Sequence, residues 1–248
     1  PLNGLLIVPS HSGRGRLPAV IYVYGGPHGH SVGRRWKRMT PWHFYLAQRG
    51  FVVMVVDGRG TGYRGKDFEA KLYQQFGRVD VADVAAAATW LGRQPFVDRD
   101  RMGLWGWSYG GYLGVMTALQ TGRLFRAVAA VAPVTDWRLY DTAYTERYLD
   151  HPQGNQAVYD RSNPVPLAGK LETRLLLIHG MADDNVLLQH TLLLSKALQD
   201  AGRRFDMMLY PGKAHSIKGT LTRRHLLGTL LDYFERQLKP PPAPAAKR

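Results

Sequence analysis

Short apolar runs rich in β-branched residues alternate along this chain with longer stretches of helical spacing. The runs predict strands at 19–24, 51–56, 102–107, 127–132, 174–179 and 205–210. The second of these is apolar without alternation, which indicates a strand buried on both faces. Helices are predicted at 41–50, 79–91, 109–120, 187–201 and 221–237, with Thr40 as the N-cap of the first and Gly50 at its end.

This alternation of strand and helix predicts an α/β fold, with a mostly parallel sheet covered by helices on both faces. We find no internal repeat and no linker over residues 1–238, so we expect one domain. Segment 239–248 is rich in Pro and Ala and is expected to be disordered. Because the chain begins with Pro1 rather than Met, we interpret it as part of a longer protein.

Composition excludes several classes of protein. With 248 residues, 45% of them hydrophobic, the chain can bury a substantial core, which excludes general disorder. It contains no Cys, which excludes a disulfide scaffold, a thiol nucleophile and a thiolate metal site. It also has no run of about 18 apolar residues, so no membrane span is predicted.

The formal net charge of +14 raises the question of an anionic partner. Most basic residues are scattered, and the tightest group is Arg34, Arg35, Lys37 and Arg38 around Trp36. We favour a solvated basic surface and expect no nucleic acid, because no zinc finger, RNA-binding sheet motif or basic zipper accompanies the charge. Outside the enzymes, the alternatives are an inert scaffold or a protein that binds nucleic acid through its basic surface.

Segment 106–110 reads Gly-Trp-Ser-Tyr-Gly and fits the pattern G-x-S-x-G of a nucleophile elbow. A predicted strand precedes it and a predicted helix follows, as the motif requires. The turn is so tight that the serine adopts strained backbone angles and the flanking positions must lack a Cβ. Ser108 is therefore the candidate nucleophile, at a helix N-terminus where developing negative charge is favoured. A buried serine at a glycine-rich strand end is the alternative.

A serine nucleophile needs a histidine base and a carboxylate that orients this base, and on such folds the chain order is serine, acid, histidine. Asp183 and Asp184 both lie just past a predicted strand, and their spacing prefers neither strongly. His215 lies just past the next predicted strand and is the candidate base. Other histidines in this half of the chain are interpreted as packing or surface residues: His179, His190 and His225.

An oxyanion hole needs hydrogen-bond donors aimed at the developing charge. One candidate is the backbone N–H of Tyr109, the residue after the nucleophile. The other lies in segment 23–27, Val-Tyr-Gly-Gly-Pro, where the glycines let the backbone approach the site and the Tyr24 hydroxyl can donate.

No cofactor and no metal are expected. His28 and His30 resemble a metal pair, but no carboxylate pattern accompanies them. The glycines at 58, 60 and 62 lack the G-x-G-x-x-G spacing of a dinucleotide site.

Together these residues resemble the catalytic α/β-hydrolase domain of the prolyl oligopeptidase family of serine peptidases, and within it the dipeptidyl peptidase IV branch. The likeness covers about residues 17–238 and is carried by segments 23–27, 57–62 (Asp-Gly-Arg-Gly-Thr-Gly), 106–111, 179–186 and the loop of His215. By this resemblance Tyr24 is the side-chain donor of the oxyanion hole. The first aspartate of the acid loop is the triad member, which selects Asp183 over Asp184.

The resemblance also implies a pocket for a proline ring, which suits flat aromatic walls. Its lining would be Tyr109, Val134, Trp137, Tyr140, Tyr144 and Val186, and Asn185 would hold a substrate carbonyl. From the residues alone, the spacing 137, 140, 144 favours an amphipathic core helix instead.

The activity implied by the resemblance is release of N-terminal dipeptides after Pro or Ala, by an acyl-enzyme mechanism. Alternatives on the same fold are an acylaminoacyl peptidase, an oligopeptidase or an esterase. Members of this branch bind the substrate amine on a β-propeller that is absent from this sequence, so we expect it upstream of Pro1. The resemblance further implies a homodimer in the periplasm or outside the cell.

Overall fold

A computed structural model describes residues 1–10 and 15–239 of the chain. Its centre is a seven-stranded sheet in the order β1-β3-β2-β4-β5-β6-β7. Strands β2 to β7 are parallel, and β1 pairs antiparallel with β3 at one edge. The strands are β1 (Asn3–Ile7), β2 (Leu17–Val23), β3 (Val52–Asp57), β4 (Val97–Trp107), β5 (Ala127–Val131), β6 (Arg174–Gly180) and β7 (Asp206–Tyr210).

Helices cover both faces of this sheet, which confirms the predicted α/β fold. They are α1 (Thr40–Gln48), α2 (Lys66–Glu69), α3 (Val79–Gly92), α4 (Tyr109–Gln120), α5 (Thr142–Leu149), α6 (Gln156–Arg161), α7 (Gln189–Asp200) and α8 (Thr220–Leu238). Short 3₁₀ turns occupy Ala70–Leu72, Gly122–Leu124, Trp137–Leu139 and Val165–Lys170. None of the helices in the described ranges is long and apolar enough to cross a membrane.

Two hydrophobic cores lie on the two faces of the sheet. In β3, Val52, Met54 and Val56 pack into the core under α3 and α4, whereas Val53 and Val55 pack into the core under α1 and α8. Every residue of this strand is buried, so the apolar run without alternation was a correct indication of burial on both faces.

Two strands differ from the predicted elements. Strand β1 was not predicted, because a short edge strand that contains Asn3 and Gly4 carries little strand propensity. Strand β4 begins at Val97, earlier than predicted, because the charged residues 98–101 hide its first part.

Two further predictions concern the N-cap of α1 and the disorder of segment 239–248. Helix α1 begins at Thr40 with Met39 as its N-cap, so the predicted cap was wrong by one residue. The Thr40 hydroxyl instead accepts a hydrogen bond from the Lys37 N–H at 2.9 Å. The predicted disorder of segment 239–248 falls on residues that, apart from Lys239 directly after α8, lie outside the described residues.

Because strands β2 to β7 are parallel, their carboxyl ends share one edge of the sheet. Segments 24–27, 108–109, 181–188 and 211–219 follow these ends directly. Hence the candidate residues for the nucleophile, acid, base and oxyanion donors meet at this edge, which we call the site edge.

Candidate active site

Ser108 forms the turn between β4 and α4 with φ 61° and ψ −119°, the strained conformation expected of an elbow. A Cβ on Gly106 would lie closer than 3.0 Å to the backbone of Gly110. A Cβ on Gly110 would lie equally close to the carbonyl of Val23. These two glycines therefore let the turn close and let α4 begin against the end of β2.

Asp183 and His215 form a hydrogen-bonded pair at the site edge. His215 Nδ1 lies 2.8 Å from Asp183 Oδ2, although the two residues are far apart in sequence. The Asp183 carboxylate is buried and also accepts the backbone N–H groups of Asn185 at 3.0 Å and Val186 at 2.9 Å. Asp184, the competing acid, is exposed to solvent.

Asp183 stays ionised because its surroundings favour the charged form. Burial raises its pKa, but hydrogen bonds from His179 and His215 outweigh burial and hold the pKa of this carboxyl well below its usual range. His179 Nε2 lies 2.7 Å from the Val186 carbonyl and 3.3 Å from Asp183 Oδ2, while its Nδ1 lies 2.7 Å from the Thr191 hydroxyl. We assign the tautomer with Nε2–H, because the hydroxyl of Thr191 can then donate to Nδ1.

His179 thus positions the acid loop, a role that sequence reasoning reduced to packing. A histidine at a strand end four residues before an aspartate was the available indication. The interpretation of His190 as a packing residue fits its place in α7, where it is buried and accepts the Thr135 N–H at 3.1 Å.

Trp107 connects the elbow to the loop of the base. Its indole Nε1 donates to the His215 carbonyl at 3.1 Å, and the backbone N–H of Ser108 donates to the Val131 carbonyl at 2.8 Å. The nucleophile and the base therefore lie in neighbouring, mutually fixed segments. The hydrogen bond from the Ser108 hydroxyl to the imidazole stays a prediction.

Tyr24 and Tyr109 both lie beside the elbow. A Cβ on Gly110 would also lie 3.0 Å from the Tyr24 Cα, so the Tyr24 backbone lies against the first turn of α4. The N–H of Tyr109 is at the first helical position, where no intrahelical acceptor exists. Burial raises the pKa of Tyr24, which keeps its hydroxyl protonated and able to donate at neutral pH.

A buried carboxylate behind Tyr109 was not predicted as a site residue. The Tyr109 hydroxyl donates to Asp80 Oδ2 at 2.8 Å, and both side chains are buried. Burial raises the pKa of Asp80 to about 6, although hydrogen bonds from Tyr109 and the backbone lower it. The only sequence indication was an acidic residue beside an apolar helix face, and its partner is distant in the chain.

The aromatic residues expected to line the pocket do form one cluster. Trp137 is buried, and its ring stacks on Tyr144 with centroids 6.1 Å apart and planes at 20°. Tyr140 meets both of them edge to face, at 5.7 Å and 5.5 Å. Tyr109 lies 5.5 Å from the Trp137 ring.

The spacing 137, 140, 144 does not come from one helix. Trp137 begins a 3₁₀ turn, Tyr140 is extended with φ −106° and ψ 167°, and Tyr144 lies in α5. The interpretation as a single amphipathic helix was wrong because Asp141 caps a new helix by accepting the Tyr144 N–H at 2.8 Å.

The remaining residues of the expected pocket are two valines and Asn185. Val134 and Val186 are buried in the same core as Trp137. Asn185 is exposed, and its Oδ1 accepts the Tyr140 hydroxyl at 2.8 Å. This hydrogen bond fixes the amide of Asn185 at the end of the aromatic cluster.

Segment 57–62 is bonded both to the loop after β2 and to α3. Asp57 accepts the backbone N–H groups of Ser31 at 2.9 Å and Val32 at 2.8 Å, which ties down the segment that follows Tyr24. Arg59 forms a 2.6 Å ion pair with Asp83 of α3.

The two early histidines lie beside different carboxylates, and His30 Nε2 is 3.9 Å from Asp57 Oδ2. His28 Nδ1 pairs with Glu69 at 3.1 Å.

The chain is similar in sequence to known proteins. Residues 38–241 match the model of the prolyl oligopeptidase family. The chain is 39% identical over 243 residues to dipeptidyl peptidase 8 of Homo sapiens, an alignment that covers 96% of this chain and 27% of that protein. It is 40% identical over 206 residues to dipeptidyl-aminopeptidase B of Aspergillus niger, over 82% of this chain and 23% of that protein.

A solved structure shows the same fold. The crystal structure of Porphyromonas gingivalis dipeptidyl peptidase 4 superposes with a TM-score of 0.92 and 42% identity, over 96% of this chain and 34% of that one. The chain thus spans about a quarter of the curated relatives and a third of the solved one. The family match covers most of the sequence, and the chain belongs to the prolyl oligopeptidase family of serine peptidases.

Proposed function

We propose that this chain is the catalytic domain of a peptidase that releases dipeptides from peptide N-termini when the second residue is Pro or Ala. The observation that carries the proposal is the Asp183–His215 hydrogen bond of 2.8 Å next to the Ser108 elbow. The dipeptidyl peptidase names of the relatives support the substrate class. The amine of the substrate would be held by a propeller encoded upstream.

In this mechanism the Ser108 oxygen attacks the scissile carbonyl while His215 takes the hydroxyl proton. Asp183 stabilises the imidazolium that results. The Tyr24 hydroxyl and the Tyr109 N–H hold the oxyanion of the tetrahedral intermediate. His215 then gives its proton to the leaving amine, the acyl-enzyme forms, and water releases the dipeptide by the same steps.

The aromatic cluster supports the choice of Pro or Ala at the second position. Tyr140 and Tyr144 are half-buried and packed on the buried Trp137, and they offer ring faces and edges to a compact apolar side chain. Asn185 lies at the end of the cluster beside Tyr140. A longer or charged side chain would gain little from such walls.

The test combines a covalent probe with a panel of substrates, both applied to the intact protein. A fluorophosphonate should label the wild type at Ser108, and Ser108→Ala should lose the label and about 10⁴- to 10⁶-fold in kcat. The panel contains Gly-Pro and Ala-Ala anilides, an N-blocked peptide and an acetyl ester. Preference for the N-blocked peptide or the ester would refute the assignment as a dipeptidyl peptidase. A wild type that is neither labelled nor active would refute the assignment as an enzyme.

A further inference from the structure

We propose that arginines beside Trp107 form a subsite for carboxylates, which makes the enzyme prefer peptides with acidic residues directly after the scissile bond. The inference rests on the proposed function and adds the chemistry of the leaving segment. The basic cluster consists of Arg34, Arg35, Lys37, Arg38, Arg223 and Arg224.

Arg223 contacts residues next to both the nucleophile and the base. Arg223 lies over the Trp107 ring, with its guanidinium carbon 4.9 Å from the ring centroid, and it donates to the Ser216 carbonyl at 2.6 Å. Trp107 directly precedes the nucleophile, and Ser216 directly follows the base. Arg223 is therefore fixed on the His215 side of the site.

The position of His215 determines on which side the leaving segment of the substrate lies. A histidine that protonates the leaving amine must face the leaving segment of the peptide. The residues after the scissile bond consequently pass on the side of His215, Trp107 and Arg223.

Within the described ranges of the chain, the positive charge of the basic cluster has no carboxylate partner in the clefts that it lines. Two open clefts lined by the basic cluster share Arg38 and Met39, and one of them, of about 590 Å³, lies between α1 and the start of α8. Among the residues that the structure describes, no Asp or Glu lines either cleft. In the same part of the chain none of the six cations forms an ion pair with a carboxylate.

Two acidic residues that follow the first four cations in the chain, Asp57 and Glu69, are engaged elsewhere. Asp57 is buried beneath the N–H groups of Ser31 and Val32, and Glu69 pairs with His28.

The cluster also carries an internal repulsion. Burial first, and then proximity to Arg38, lowers the pKa of Arg223, so these two guanidinium groups repel each other across the cleft. A substrate carboxylate between them would relieve this repulsion.

The experiment uses the intact protein and three amidated tetrapeptides, in which Gly-Pro precedes Asp-Asp, Asn-Asn or Lys-Lys. Competition in one tube, followed by mass spectrometry, gives relative kcat/KM values. At low salt we expect Asp-Asp to be cleaved about three- to ten-fold faster than Asn-Asn, and Lys-Lys more slowly still. The preference should shrink in about 0.5 M NaCl, because salt at that concentration screens exposed charges.

Matched variants locate the effect. Arg38→Gln with Arg223→Gln should bring the Asp-Asp to Asn-Asn ratio close to one. Arg174→Gln with Arg204→Gln removes the same charge at the opposite edge of the sheet and should keep the ratio, because Arg174 begins β6 and Arg204 lies just before β7. Arg38→Gln alone breaks no hydrogen bond in the described chain and replaces the double variant if the latter is unstable; it should lower the ratio by at least half.

Three outcomes would overturn the inference: no acidic preference in the wild type, the same loss in both double variants, or an unchanged ratio in the cluster variant. A DNA oligonucleotide that binds the cluster without any acidic preference among the peptides would assign it to nucleic acid instead. Cleavage of Gly-Pro 4-nitroanilide separates this failure from failure of the proposed function, since that substrate has an uncharged leaving group.

Discussion

Gly29 lies against the ring of Tyr24, the proposed side-chain donor of the oxyanion hole. A Cβ at this position would meet Tyr24 Cδ1 at 2.5 Å and Cε1 at 2.9 Å, and would lie closer still to the Gly25 carbonyl. The backbone of Gly29 is not left-handed, so alanine is acceptable there apart from these collisions. Since carbon atoms prefer about 3.5–4.0 Å, both the Tyr24 ring and the Gly25 carbonyl must move by about 1 Å relative to residue 29 in Gly29→Ala.

Such a displacement should remove most of the Tyr24 contribution to catalysis. Loss of one oxyanion donor costs about 10²–10³ in kcat, so we expect a kcat about 10²-fold lower for Gly29→Ala, with a smaller change in KM. Tyr24→Phe should show a similar loss. The double variant should lose little more than either single one, because both changes act through one hydroxyl.

Steady-state kinetics on Gly-Pro 4-nitroanilide measures these values, and urea unfolding shows that each variant is folded. Gly169→Ala is the matched control, because its nearest neighbour would be the Ala201 Cβ at an ordinary 3.9 Å. A folded Gly29→Ala protein with wild-type kcat would refute the reasoning. So would a full second loss of about 10²-fold in the double variant, since the two changes would then act independently.

Three further predictions concern buried charge and the aromatic cluster. Asp80 has a folded-state pKa of about 6, above its unfolded value of 3.8, so stability is lost as the pH rises from about 4 to about 6 and stays lower above that range. In urea titrations, Asp80→Asn should therefore raise the free energy of unfolding by about 1–3 kcal/mol at pH 8 and should not raise it at pH 4. An equal increase at pH 8 and pH 4 would contradict this. Burial lowers the pKa of His43 to about 4. The contribution of this side chain to the free energy of unfolding should therefore fall by about 1.4 kcal/mol for each pH unit as the pH drops from 6.5 to 4. His43→Phe should make the stability less dependent on pH in this range. Tyr140→Phe removes the 2.8 Å hydrogen bond to Asn185 and should raise KM about three- to ten-fold with a smaller change in kcat; an unchanged KM would count against a role for Asn185 in binding.

Local motifs explain which parts of the site were predictable. The elbow is a strand, a turn and a helix within a few residues, so Ser108 could be identified from its immediate neighbours. Asp183 and Asp184 are adjacent, and only burial and the contact with His215 distinguish them in space. The family resemblance, not spacing, selected Asp183 in advance.

The parts that sequence reasoning missed depend on distant partners or on overlooked caps. Asp80 acquires its role from Tyr109, which lies on another helix, and no periodicity reveals such a pair. The break before α5 was visible in principle, because Asp141 is a favourable N-cap residue. Helical spacing across residues 137–144 concealed this indication.

The antiparallel pairing of β1 with β3 determines where the two ends of the described chain emerge. Asn3 pairs with Asp57, the last residue of β3, so the chain enters at the site edge. Helix α8 runs away from that edge, and Lys239 at its end donates to the Arg49 carbonyl near the start of β3. A domain joined before residue 1 therefore starts beside the candidate active site, whereas a segment joined after α8 starts at the opposite edge of the sheet.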